Sequence, residues 1–357
     1  MTLIAAVGLD TFPVIYGDLL VSGLDQSGPA ANAPTESRWS IPGIDQKVVL
    51  LGDNCVVAWA GAVALARTVI GELRAMALQA PLSIAIIDRY LAQLDPTVND
   101  ELSLVGWVKE REDFHQFWYR ADIVESAMFG RISAGGGAAT RFVKLAAPIS
   151  GGPVSARGDA PDGLERAVAS MLSATSLLLQ AELSGLSNPL QHLGDGFEIA
   201  TFVGDKFAKV GDIAFVWWKA DVDGGQVTLS GPECILKQDY TGEFLLLRAL
   251  RMRPGKLATD QPVLEEAQRV ISPFGVSIDA DHATSISWPG MEATFTCHVV
   301  VVRSAGSLSV VNQIEYSRSR TPRSIRFSLD DGRVPFGLNQ QFCEELTQRV
   351  HAGFSGG

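Results

Sequence analysis

Thr2 carries the most distinctive chemistry in the chain, because loss of Met1 would leave it at the terminus with a hydroxyl and an α-amine on one residue. Such an amine titrates near 7.7–8.0. It can therefore take the hydroxyl proton itself and turn the side chain into a nucleophile. By position alone, Thr2 also reads as an ordinary small residue ahead of a strand. Other groups point to less. Gly135-Gly136-Gly137 precedes a helix and lacks both the Lys-Ser/Thr ending of a phosphate loop and the GxGxxG spacing. His115, His192, His282, His298 and His351 are dispersed without metal-ligand spacing, so no metal and no cofactor is expected. No G-x-S-x-G elbow is present. Arg318, Arg320, Arg323 and Arg326 form a basic stretch that could recognise an acidic partner but reads more readily as a solvated strand face.

The elements that must position Thr2 follow from the apolar spacing. Leu3–Gly8 and Pro13–Tyr16 read as a hairpin, with Asp18 just past its second strand. A Ser, Gly, Pro and Asn-rich stretch from Leu24 to Gly43 reads as a long loop. Lys47–Leu51 and Cys55–Ala60 read as strands, and Ala62–Leu78 and Ser83–Leu94 as helices. Leu102–Val108, Phe114–Arg120 and Arg131–Ser133 return to strand, and a helix follows from near Ala138. Asp162–Glu182 predicts a long helix too apolar to be solvated all round. Phe197–Val203 and Ile213–Trp218 are strands. Past Arg253-Pro254-Gly255, Pro262–Ile271 predicts a helix, and Thr294–Arg303 and Leu308–Tyr316 predict strands. This divides the chain into residues 1–256 and a smaller α+β domain, 257–357.

Composition bounds the setting. A hydrophobic fraction of 46% with 19% charged residues is that of a folded chain. The formal charge of −11 opposes binding to phosphate backbones, so no nucleic-acid partner is expected. Apolar runs at Asn54–Ala66 and Ala167–Ala181 are shorter than the roughly 18–20 residues of a membrane span. Secretion is not expected, since the first residues lack a positive segment and Asp10 interrupts their apolar run. Cys55, Cys234, Cys297 and Cys343 are scattered through apolar contexts, as in a reducing cytoplasm.

Thr2, Gly17-Asp18, Lys47, the hairpin Lys47–Gly61 and the helix after it resemble, in that order, the proteasome β-subunit and its bacterial relatives among the N-terminal nucleophile hydrolases. Arg131–Gly137 and Gly194–Thr201 resemble that family's Gly-rich turn before a helix and its later strand entry. The resemblance covers roughly residues 2–220. It implies an α+β fold, a four-layer αββα sandwich, here with the added C-terminal α+β domain. It also implies hydrolysis of peptide amides by Thr2 in a homo-oligomeric ring or helical array, with an ATPase partner left open. Lys47 as an ammonium would favour the Thr2 alkoxide, and Asp18 would hold Lys47 charged and oriented. Backbone N–H donors for the oxyanion are expected near Ala58 or Ala60, with Val21 and Val56 beside them in an apolar pocket. Ala58 stands where the family has glycine. Where the family has a serine that hydrogen-bonds the terminal amine, the closest matching position here is Ala134, with Ser133 one residue earlier. A later acid and serine have only Ser187 and Asn188 as candidates. The competing expectations are a non-catalytic scaffold subunit and a small-molecule amidase.

Overall fold

The computed structural model describes residues 2–9, 12–19, 45–95, 101–127, 129–147, 157–158, 163–183, 196–253, 263–276, 288, 290–327 and 336–354. The loop expected over Leu24–Gly43, Val21, and the candidates Ser187 and Asn188 lie outside these residues.

Alternation of apolar side chains builds two facing antiparallel sheets. One contains β1 (Ile4–Leu9), β2 (Phe12–Asp18), β7 (Asp122–Ser126), β8 (Gly130–Gly135), β10 (Phe197–Val203) and β11 (Lys206–Lys209), in the order β11-β10-β2-β1-β8-β7. The other runs β3-β4-β5-β6 and contains β3 (Val48–Gly52), β4 (Cys55–Gly61), β5 (Leu102–Glu110) and β6 (Asp113–Tyr119). Ile4 and Ala6 of β1, Ile15 of β2, Val56, Ala58 and Ala60 of β4, and Val105 and Trp107 of β5 form the core between them. The residues in between, Cys55, Val57 and Trp59, turn to the opposite face. There they meet α1 (Val63–Gln79) and α2 (Ile84–Leu91). Period-two patterning with both faces apolar is what strands buried on both sides require.

A third, seven-stranded sheet is the largest. Its order is β15-β14-β13-β12-β16-β17-β9, from β9 (Arg157–Gly158), β12 (Ile213–Asp223), β13 (Gln226–Thr241), β14 (Phe244–Arg253), β15 (Val263–Ile271), β16 (Phe295–Ser304) and β17 (Ser307–Tyr316). β12 and β16 pair in parallel, and the sheet is continuous across residue 257. Between this sheet and the six-stranded one lie α3 (Ala139–Ala146) and α4 (Gly163–Leu183). Every residue from Ala167 to Thr175 is buried, the small polar Ser170, Ser173 and Thr175 included. The helix is apolar all round because it has a sheet on either side. On the far face, α5 (Gln340–Phe354) packs Phe342, Leu346 and Val350 against Val216, Trp218, Val300 and Val302. β18 (Ile325–Phe327) and β19 (Phe336–Leu338) form a short hairpin pair.

The expected four-layer αββα sandwich with a small appended α+β domain is therefore corrected. Strands make up 51% and helices 26% of the described residues. The long helix expected over Asp162–Glu182, too apolar to be solvated all round, is enclosed between two sheets. The helix expected over Pro262–Ile271 is strand β15, paired along β14 from Leu245↔Ile271 to Arg253↔Val263.

Candidate functional site

Five chain segments converge at one end of the two facing sheets. Thr2 precedes β1, Asp18 ends β2, Lys47 precedes β3, Gly61 ends β4 and Gly136 follows β8. The β1–β2 ladder sets the first two together: Ile4 pairs with Gly17, the Asp18 N–H donates to the Leu3 carbonyl at 3.1 Å, and the Leu3 N–H donates to Asp18 Oδ1 at 3.4 Å. Lys47 reaches the same carboxylate oxygen from the other sheet, forming an ion pair whose side chains are 0% and 4% exposed. Asp18 Oδ2 is buried and has no hydrogen-bond partner among the described residues. A buried pair of this kind is costly to desolvate and holds only with good geometry.

Gly136 brings the end of β4 to Thr2. Its φ is +97°, and a Cβ there would sit 2.2 Å from the Thr2 carbonyl oxygen and 3.2 Å from the Ala60 Cβ. Only glycine allows so close an approach. The Ala138 N–H, at 3.5 Å from the Thr2 carbonyl, completes the contact. Thr2, Asp18, Lys47 and Ala60 thus come together.

The remaining sequence-derived residues lie elsewhere. Ala58 and Val56 are fully buried between the sheets, Ala58 opposite Val48 and Val105, and Val56 opposite Leu50 and Trp107. Their side chains belong to the core between the sheets. Ser133 pairs with Ala6, four residues along β1 from Thr2 and so about 13 Å away at 3.3 Å per residue. Its buried hydroxyl has no partner among the described residues.

Gly61 was not singled out by the sequence. In β4 the N–H of Trp59 points to β3, donating to the Lys47 carbonyl at 3.1 Å, while the N–H of Ala62 points to β5, donating to the Glu101 carbonyl at 3.2 Å. Alternation then directs the N–H groups of Ala58 and Ala60 into the β5 ladder and that of Gly61 toward the β3 side. β3 begins only at Val48, so no strand stands opposite Gly61 there. Gly61 is an exposed residue at the strand-to-helix turn, and by this alternation its N–H is directed to the Lys47 side. Gly61 has φ +106°, and a Cβ would collide with the Glu101 carbonyl at 1.5 Å. A glycine at the junction of a strand and α1 was the available signal.

The segment before β3 is held from several sides. The Gln46 carbonyl accepts the Trp59 indole N–H at 3.1 Å, and Asp45 donates its N–H to the Leu19 carbonyl at 3.2 Å. Burial pushes the Asp45 carboxyl up to about 6, against the Gln46 N–H bond and the charges of Arg67 and Lys209, which lower it.

Among the described residues, no group of three His, Cys, Asp or Glu side chains is placed to hold a metal ion. Among them too, no helix is long and apolar enough to cross a membrane. Compared with known proteins, the chain matches no family model and no curated sequence.

Proposed function

We propose that the chain is a threonine-nucleophile amide hydrolase, active on peptides after loss of Met1. The observation that carries this reading is the buried Asp18–Lys47 ion pair set against the residue that follows Thr2, with Asp18 accepting the Leu3 N–H. Thr2 Oγ attacks the carbonyl carbon while the α-amine takes the hydroxyl proton. The tetrahedral oxyanion is met by the Gly61 N–H, a fixed donor of the kind worth roughly 2.7–4 kcal/mol in acyl transfer. Collapse breaks the C–N bond, the α-ammonium returns the proton to the leaving amine, and an ester to Thr2 remains. Water, deprotonated by the same amine, then releases the acid. Lys47 contributes positive charge where negative charge develops and keeps the neighbouring amine unprotonated.

The resemblance to proteasome β-subunits supports the same reading and adds the expectation of a homo-oligomer. A cytoplasmic setting fits Cys55, Cys234, Cys297 and Cys343, which form no disulfide. One observation favours a non-catalytic scaffold instead: Ser133, the nearest serine to the family's amine-bonding position, lies opposite Ala6 and far from Thr2. Intact-mass measurement of the purified protein separates the two. Loss of Met1, together with peptide hydrolysis that disappears in Thr2→Ala, supports the hydrolase; retained Met1, or unchanged hydrolysis by Thr2→Ala, overturns it.

A further inference from the structure

Glu198, fully buried in β10, divides its carboxylate between two parts of the molecule. Oε2 accepts the backbone N–H groups of Lys47, at 2.5 Å, and Val48, at 3.0 Å. Oε1 accepts the Lys209 ammonium of β11 at 2.7 Å and the Tyr240 hydroxyl of β13 at 3.2 Å. Among the described residues β3 is an edge strand, with no further strand competing for these amides. Bonds to an ionised acceptor are roughly twice as strong as neutral ones. The start of β3, laddered to β4 on one side, is thereby anchored on the other to a buried carboxylate.

Gln46 repeats the connection one residue earlier. Its carboxamide donates to the Glu243 carbonyl at 2.9 Å and to the Ile271 carbonyl at 2.8 Å, and it accepts the Lys209 ammonium. Glu243 lies between β13 and β14, and Ile271 ends β15, so both belong to the seven-stranded sheet. Burial, and then the Glu198 carboxylate, raise the Tyr240 hydroxyl well above its ordinary range. Tyr240 therefore remains a donor.

Resting on the roles given to Thr2 and Lys47 above, we infer that Glu198 is the positioning residue of the site: it fixes the Lys47 backbone and, through Lys209, Tyr240 and Gln46, makes the seven-stranded sheet part of the frame that places the Lys47 ammonium. A merely structural anchor would change stability alone. A positioning residue changes the chemistry of each folded molecule.

The test compares Glu198→Gln and Tyr240→Phe with the unaltered full-length protein. Glu198→Gln puts amide hydrogens where every neighbour already donates. Its kcat for Thr2-dependent hydrolysis of a peptide amide is expected to fall on the order of 10–100-fold with KM little changed, the scale of a small misplacement at a reacting centre. Tyr240→Phe removes one of four donors and falls less; it decides the matter if Glu198→Gln does not fold. The 13C signal of the Lys47 Cε, assigned by its loss in Lys47→Arg, is expected to move or split in both variants. The inference is overturned if that signal stays in place, or if kcat per folded molecule is unchanged while only thermal stability drops. Should the unaltered protein show no Thr2-dependent hydrolysis, the nucleophile reading fails by itself, and the Lys47 signal still decides whether Glu198 positions that side chain.

Discussion

Two charged residues two apart in one short segment, Asp45 and Lys47, meet different fates in the folded chain. Lys47 has Asp18, and removing either partner would strand the other as a buried charge, a loss of about 3–5 kcal/mol. Any loss of activity in a Lys47 variant must for that reason be normalised to folded protein. The Asp45 carboxylate accepts the Gln46 N–H at 2.8 Å, and burial outweighs that bond. Its folded pKa, about 6, lies above the ordinary 3.8, so between those values the folded state binds more protons than the unfolded one. Stability therefore falls as pH rises through that window, by about 2–3 kcal/mol from this group. Asp45→Asn keeps an acceptor for Gln46 and removes the titration. Urea unfolding at pH 4 and pH 7 should show the variant gaining on the unaltered protein by about that amount between the two. Equal pH dependence of the two proteins would refute the assignment.

At the scale of elements, the site depends on how closely the start of β1 approaches the end of β4. Gly136→Ala would place a methyl 2.2 Å from the Thr2 carbonyl oxygen, against backbone that cannot yield as a side chain can. The positive φ alone costs roughly 1–3 kcal/mol. The variant should lose at least that in denaturant unfolding and lose hydrolysis as well, whereas Gly8→Ala, with open space around the added methyl, should lose no hydrolysis. A fully active Gly136→Ala would show that Thr2 does not work from this position. Much at this scale was legible in the sequence. The strands β1, β2, β4 and β5 and the helices α1, α2 and α4 follow from spacing, because each has an apolar face with its own period. β15 was not legible: Val263-Leu-Glu-Glu-Ala-Gln-Arg-Val-Ile271 is rich in helix formers, and only the open edge of β14 makes it a strand. Asp18 and Lys47 could be read from their order after Thr2. For Gly61 the glycine at the strand-to-helix junction could be read, but not the direction of its N–H, which depends on which ladder takes Trp59 and Ala62. Glu198 was hidden for a similar reason, since it meets Lys47 across two sheets from 151 residues away.

For the molecule as a whole, the seven-stranded sheet and α4 each need the other. The sequence places residues 257–357 in a domain of their own, yet β16 pairs with β12 from Ile213↔Phe295 to Val222↔Ser304, and β17 reaches α4. Asn312 of β17 donates to the carbonyls of Leu172, at 3.1 Å, and Ser173, at 2.7 Å, and Gln180 of α4 donates to the Leu308 carbonyl at 3.1 Å. Cys297, Val299, Val301, Ile314 and Tyr316 share one apolar core with Ala167, Met171 and Leu178 of α4 and with Val14 and Tyr16 of β2. Ending the chain at residue 256 would remove those five side chains and uncover their partners on α4 and β12. At about 1.5–3 kcal/mol for each large apolar side chain, the loss rivals the roughly 5–15 kcal/mol by which whole domains are stable. It would also take away Ile271, which receives Gln46 beside Lys47. Residues 1–256 produced alone are therefore expected to lack cooperative thermal unfolding and to show amide exchange in β1, β2 and α4 far faster than the full chain. Slow exchange in those elements together with a sharp transition would mean that the first 256 residues hold the site without the rest. Fast exchange would establish that the frame around Thr2 extends through the third sheet.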